Sequence, residues 1–135
     1  MNFNHPSPEI ISKFIQLLGP AGVITDKELL VPYSHDETED LTFTPEVVLK
    51  PNSNTEVSEI LKICNKEKIP VTPRGAGTGL SGGALAVYGG VLLTTERMNR
   101  IIKIDERNHQ ALVEPGVITQ VLQETVLEKG LFYPP

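Results

Sequence analysis

The chain has 135 residues, enough for one domain with an ordinary core, and its apolar content is globular with no stretch long enough to span a bilayer. Twelve basic against seventeen acidic residues give a net charge of −5, and the lysines are interleaved with glutamates, so nucleic acid is not an expected partner. The opening residues lack a secretory pattern and the single Cys64 cannot form an internal disulfide, so a cytoplasmic location is expected.

Ser7 as a cap, Pro8 at the first helical position and Glu9 in the first turn begin a helix. Its apolar stripe is Ile10, Ile11, Phe14, Ile15, Leu17 and Leu18, and Gly19-Pro20 ends it. Residues 31–40 are polar, without periodicity, and read as an exposed loop. Their His35, Asp36, Glu37, Glu39 and Asp40 fit no zinc or calcium spacing, so no metal site is expected. Val47-Val48-Leu49 is a short strand stopped by Lys50-Pro51. A second helix starts at Ser53 or Thr55, with Ser53 and Glu56 at capping-box spacing, and buries Val57, Ile60, Leu61 and Cys64. On that stripe Cys64 is a packing residue rather than a reactive thiol.

Residues 69–72 form a strand that runs straight into a glycine segment, and residues 90–95 form the next one. Residues 101–105 and 110–114 read as a hairpin around Glu106-Arg107-Asn108. A third helix, roughly 119–129, buries Val121, Leu122 and Val126 and closes at Gly130. His5 and His109 stand alone and read as surface residues. Leu131-Phe132-Tyr133-Pro134-Pro135 reads as a strand entering a turn with nothing after it, which predicts a chain cut short within its domain. The order β-α-β-loop-β followed by a hairpin implies a small mixed α+β unit.

The segment Pro73-Arg74-Gly75-Ala76-Gly77-Thr78-Gly79-Leu80-Ser81-Gly82-Gly83 carries five glycines between residues 75 and 83. Glycine loses the most backbone freedom on folding, so such a run needs a compensating gain. The expected one is a backbone wrapped around an anion, its N–H groups turned toward phosphate; the alternative is a surface turn. Gly77 to Gly82 match the dinucleotide fingerprint G-x-G-x-x-G, and Glu96 lies at the right distance to be its acid. That fingerprint requires a helix to start inside it, whereas residues 83–90 are short and bracketed by glycine pairs. A triphosphate P-loop needs a lysine that residues 75–90 do not contain. No serine or cysteine has a partner base nearby, so hydrolase chemistry finds no support.

The run from Pro70 to Gly83 resembles the pyrophosphate loop of FAD-linked oxidases of the vanillyl-alcohol-oxidase (PCMH) type, nearest to the subgroup of the glycolate oxidase flavin subunit and D-lactate dehydrogenases. Tyr33-Ser34 with Asp36 and Thr38, and Pro45 to Pro51, stand in the expected order upstream. Val113-Glu114-Pro115-Gly116-Val117 and Tyr133-Pro134-Pro135 do so downstream. The resemblance implies a PCMH-type α+β fold: a small βαβ subdomain followed by the start of a second mixed sheet. Residues 1–40 would be a helix and irregular lead-in, and residues 41–135 an incomplete FAD-binding domain.

The resemblance also implies a cofactor, FAD, surrounded at its pyrophosphate by Pro73, Arg74, Gly75, Ala76, Gly77, Thr78, Gly79, Ser81, Gly82 and Gly83. Pro115 and Gly116 would contact the adenosine side, and Pro134 and Pro135 would approach the flavin. The loop holds Thr78 and no histidine, so non-covalent FAD is expected. Arg74 would neutralise pyrophosphate charge or pair with a carboxylate to brace the loop; arginine suits both. Thr78 and Ser81 would donate to phosphate or to the loop's own backbone. A side chain at Gly79 is expected to block the ligand. The implied activity is oxidation of a small substrate of the 2-hydroxy-acid type, with the substrate domain, catalytic residues and metal ligands outside this chain. The segment alone is expected to be inactive. A NAD(P)-binding Rossmann domain and a non-catalytic module that keeps the fold are the other readings.

Overall fold

The computed structural model describes residues 3–134. Helix α1, Pro8–Leu18, starts as its sequence dictates: the Ser7 hydroxyl accepts from the Ile10 amide, and Gly19 at φ 74° closes it. A single 3-10 turn, Pro20–Gly22, leads to a two-residue strand β1, Val23–Ile24, and then to a one-turn helix α2, Lys27–Leu30, capped by Asp26. Strand β2 is Val47–Leu49, helix α3 Asn54–Glu67, strand β3 Val71–Arg74 and strand β4 Val91–Thr94. Strands β5, Ile101–Asp105, and β6, Gln110–Val113, form the hairpin, and helix α4 is Thr119–Leu127.

The capping box at α3 is realised with a one-residue offset. Ser53 Oγ accepts from the Glu56 amide at 3.3 Å, and the Glu56 carboxylate accepts from the amide of Asn52, one residue before the cap, at 2.6 Å.

Four strands make one sheet in the order β1-β2-β4-β3, with β1 antiparallel to β2 and β2, β4 and β3 mutually parallel. β5 and β6 form a separate antiparallel pair. Parallel strands covered on both faces read as continuous apolar runs, which is why Val47-Val48-Leu49 and Val91-Leu92-Leu93 show no polar alternation. Val47, Leu49, Val91 and Leu93 face Ile10, Phe14 and Leu18 of α1 and Ile60 and Cys64 of α3. Val48 and Leu92 point the other way, onto Leu30, Ile24 and Tyr33. Each fully buried aliphatic or aromatic side chain here contributes about 1.5–3 kcal/mol.

Residues 1–40 are less irregular than their composition suggests. α1 packs into the same core as β2 and β4, and β1 extends the same sheet. The stretch expected to be an exposed loop holds a 3-10 turn, Val31–Tyr33, and buries Ser34 and Asp36. Leu61 and Val121, expected in the core, are about half exposed, because each apolar stripe is wider than the face its helix buries.

Leu131 to Pro134 form no strand. Among the described residues no neighbouring strand pairs with them, and the Leu131 amide instead turns back to the Val126 carbonyl at 3.0 Å, beyond Gly130 at φ 71°. Pro135 lies outside the described residues.

Candidate functional site

β3 and β4 run parallel with Arg74 opposite Thr94, so both chains leave the sheet at the same edge. There, at the carboxyl ends of parallel strands, ligands bind α/β sheets. The glycine segment leaves β3 on one side. Thr95-Glu96 leaves β4 beside it. Between them and the segment following β6 lies a cleft of about 540 Å³. The glycine segment contributes Arg74, Gly75, Ala76 and Thr78; the β4 end contributes Thr94, Thr95 and Glu96; the far wall is Pro115 to Thr119.

The far wall is seated by Gly116. Its amide donates to the Met98 carbonyl at 2.7 Å, and a Cβ there would run into the carbonyl of Thr95. Glu114 fixes the same turn by accepting from the Arg100 amide at 2.8 Å and from its guanidinium. The guanidinium, followed by that amide, holds the Glu114 carboxyl below the usual carboxylate range.

Among the described residues, no amide from Gly75 to Ser81 donates to a protein acceptor. These are free donors on a loop whose one bulky side chain, Leu80, is exposed, the chemistry a diphosphate requires. Residues 80–90 contain turns and bends but no helix, and the next helix after α3 is α4. The crossover helix of a Rossmann fingerprint is therefore missing, and Gly77-to-Gly82 matches it in letters only.

The loop is held from behind by residues 32–38. Arg74, nearly buried, donates to the carbonyls of His35 at 2.9 Å and Pro32 at 3.4 Å. Its guanidinium also lies 5.8 Å from the centroid of the Tyr33 ring. Of the two tasks open to Arg74, bracing is the one its hydrogen bonds perform, through backbone carbonyls rather than a carboxylate. Glu37 N donates to Gly79 O at 3.1 Å, and Gly82 N donates to Thr38 Oγ1 at 2.7 Å. Gly82 thus spends its amide inside the protein. Asp36 accepts from the Thr38 amide at 2.9 Å, and hydrogen bonds from Thr38 hold its carboxyl below the ordinary range. Its Oδ2 is buried without a hydrogen-bond partner, behind Gly79.

The glycines differ in what they need. Gly77 has φ 74° and a Cβ on it would meet the Arg74 guanidinium; both facts exclude a side chain. Gly79 has an ordinary φ, and a Cβ there would touch only Asp36 Oδ2 at 3.9 Å. Gly83 has open space around it, and Ser81 is exposed. Pro73 lies on β3 and is exposed, and Pro134 is exposed and away from the cleft lining.

Tyr33, Thr95 and Asn99 are cleft residues that carried no functional reading in the sequence. Tyr33 donates to Glu96 Oε1 at 2.7 Å, and Thr95 and Asn99 line the same wall. A second hollow of about 430 Å³, between the hairpin and α4, is lined chiefly by apolar side chains such as Val113, Leu122, Val126 and Phe132. It offers no comparable set of anion donors.

Residues 45–135 match a family described as FAD binding domain. The chain is 40% identical over 127 residues to the glycolate oxidase subunit GlcD of Bacillus subtilis (strain 168), covering 94% of this chain and 27% of that protein. It is 38% identical over 134 residues to the D-lactate dehydrogenase of Anaerostipes hadrus, covering 98% and 28%. Among solved structures, p-cresol methylhydroxylase with substrate bound superposes with a TM-score of 0.80 at 34% identity, over 90% of this chain and 24% of that one. The chain spans about a quarter of the length of these relatives.

Proposed function

Because this chain belongs to the FAD binding domain family, we propose that its glycine loop holds the diphosphate of non-covalently bound FAD, within a flavin-dependent oxidoreductase that oxidises a 2-hydroxy acid of the glycolate or D-lactate type. The observation that carries the reading is the row of free amides from Gly75 to Ser81, set at the carboxyl ends of β3 and β4 with no helix behind it. The donor set fits the group. Bare amides, backed by the Thr78 hydroxyl and an arginine held by two backbone carbonyls, suit a diphosphate.

FAD, when bound, supplies the hydride chemistry, and the protein positions it. The residues of this chain bind and orient. Gly75, Ala76, Gly77, Thr78, Gly79 and Ser81 would face the diphosphate, with Pro73 and Gly83 at the ends of that turn and Gly82 fastening it. Pro115 and Gly116 would close on the adenosine side. Pro134 and Pro135 would lie toward the flavin. No catalytic residue is assigned here, and the 135-residue chain alone is expected to be inactive, with the substrate held by a domain outside it. We place the FAD-binding domain at residues 41–135, with residues 1–40 as its lead-in, and the protein in the cytoplasm. No helix among the described residues is long and apolar enough to cross a membrane.

The test is reconstitution. Purified protein mixed with FAD should retain absorbance at ~450 nm through gel filtration and release intact FAD on denaturation. ADP should compete for the site. Protein that stays colourless with added FAD would favour a module that kept the fold without the cofactor. The longer protein should lose its flavin colour when glycolate or D-lactate is added without oxygen; colour that persists with both would remove the substrate assignment.

A further inference from the structure

At the β4 end of the cleft, two donors converge on one oxygen of Glu96. Tyr33 donates to Oε1 at 2.7 Å, and Lys50, just beyond β2, reaches the same oxygen at 2.9 Å. Lys50 Nζ also sits 5.4 Å from the Tyr33 ring centroid. Oε2 has no hydrogen-bond partner among the described residues, and the side chain is 43% exposed and lines the cleft. Burial works against the charge on Glu96, but the hydrogen bonds from Lys50 and Tyr33 outweigh it and hold the carboxyl below its usual range. Next to it, Thr95 has a buried hydroxyl oxygen without a partner, and Asn99 lines the same wall.

The protein holds the group through Oε1 and leaves Oε2 as an acceptor on a residue that lines the cleft. An ionised carboxylate can only accept. Diphosphate has nothing to donate, and Lys50 and Arg74 balance the negative charge that would otherwise repel it. Donors that sit within one sugar of a diphosphate are hydroxyl groups.

Resting on the FAD reading, we propose that Glu96 is a specificity-determining residue that receives the vicinal hydroxyls of the sugar unit adjoining the diphosphate, with Thr95 and Asn99 beside it. Tyr33 and Lys50 are positioning residues for its carboxylate. Two sources carry that chemistry, the ribose of adenosine and the ribityl chain, and separate probes distinguish them.

Calorimetric titration of the 135-residue chain with inorganic pyrophosphate, ADP, 2′,3′-dideoxy-ADP and FMN makes the test. If the ribose is the source, ADP should bind about tenfold tighter than dideoxy-ADP, and Glu96→Ala should erase the difference without weakening pyrophosphate. If the ribityl chain is the source, the loss in Glu96→Ala should fall on FMN instead. Tyr33→Phe keeps the ring under Arg74 and should lose part of the same preference without altering pyrophosphate. Equal weakening of all four probes in Glu96→Ala, or no change in any, would overturn the inference while the diphosphate site stands. A parent chain that binds none of the probes would sink both readings.

Discussion

Thr38 Oγ1 accepts the amide of Gly82 at 2.7 Å, joining residues 44 positions apart. It is one of several ties between residues 32–38 and the glycine loop, and it shows how a loop with little side-chain bulk is kept in one shape. The loop cannot order itself through packing, because glycine and alanine offer almost nothing to pack. A neighbouring segment with hydroxyls and carbonyls does so instead.

Thr38→Val keeps the shape of the side chain and removes the acceptor, leaving the Gly82 amide unsatisfied. Stability should fall by about 1–3 kcal/mol, and FAD affinity should fall with it because the loop is no longer fixed. Thr38→Ser should restore most of both. Urea unfolding and flavin fluorescence titration measure the two. A Thr38→Val protein with unchanged FAD affinity would show that the tie does not shape the site.

Gly77 and Gly79 should behave differently. Gly77→Ala forces an alanine to φ 74° and pushes its Cβ onto Arg74, which would lose its hold on His35 and Pro32. The left-handed conformation alone costs about 1–2 kcal/mol, so FAD retention and stability should both drop. Gly79→Ala has an ordinary φ and room for a methyl group. Its stability should change by less than about 0.5 kcal/mol, so any loss of FAD there reports contact with the ligand. Equal destabilisation by both would contradict the geometry.

Cys64 should be inert in the folded protein. Burial pushes its thiol up to about 11, so almost no thiolate exists at pH 8 and a thiol reagent should react only on unfolding. The sign of the pH effect follows. The unfolded thiol loses its proton first, so above about pH 9 the folded state binds more protons, and stability falls as pH rises toward 11. Cys64→Ala should lower stability at neutral pH by about 1 kcal/mol or a little more, flatten that alkaline fall, and leave FAD affinity unchanged. Denaturant melts between pH 7 and 11 make the comparison. Rapid labelling of native protein at pH 8 would show that the helix is misread.

Features whose physics is local could be read from consecutive residues. Ser7 and Ser53 cap helices that start where they predict, the unbroken apolar runs at Val47 and Val91 are parallel strands covered on both faces, and Asn108 folds back on Asp105 to turn the hairpin. The absence of a helix after the glycines was legible too, since residues 83–90 leave no length for one. Relations between distant segments emerged only on folding. Polar residues 31–40 gave no periodic signal, yet they back the loop, because their function lies in hydrogen bonds to Arg74, Gly79 and Gly82 rather than in a buried stripe. Tyr33, Lys50 and Glu96 meet only because β2 and β4 are neighbours in the sheet, and Gly79 turned out to need glycine less than Gly77 does. Caps, turns and apolar runs are written over a few consecutive residues. A cleft is made by whichever strand ends the sheet order brings side by side.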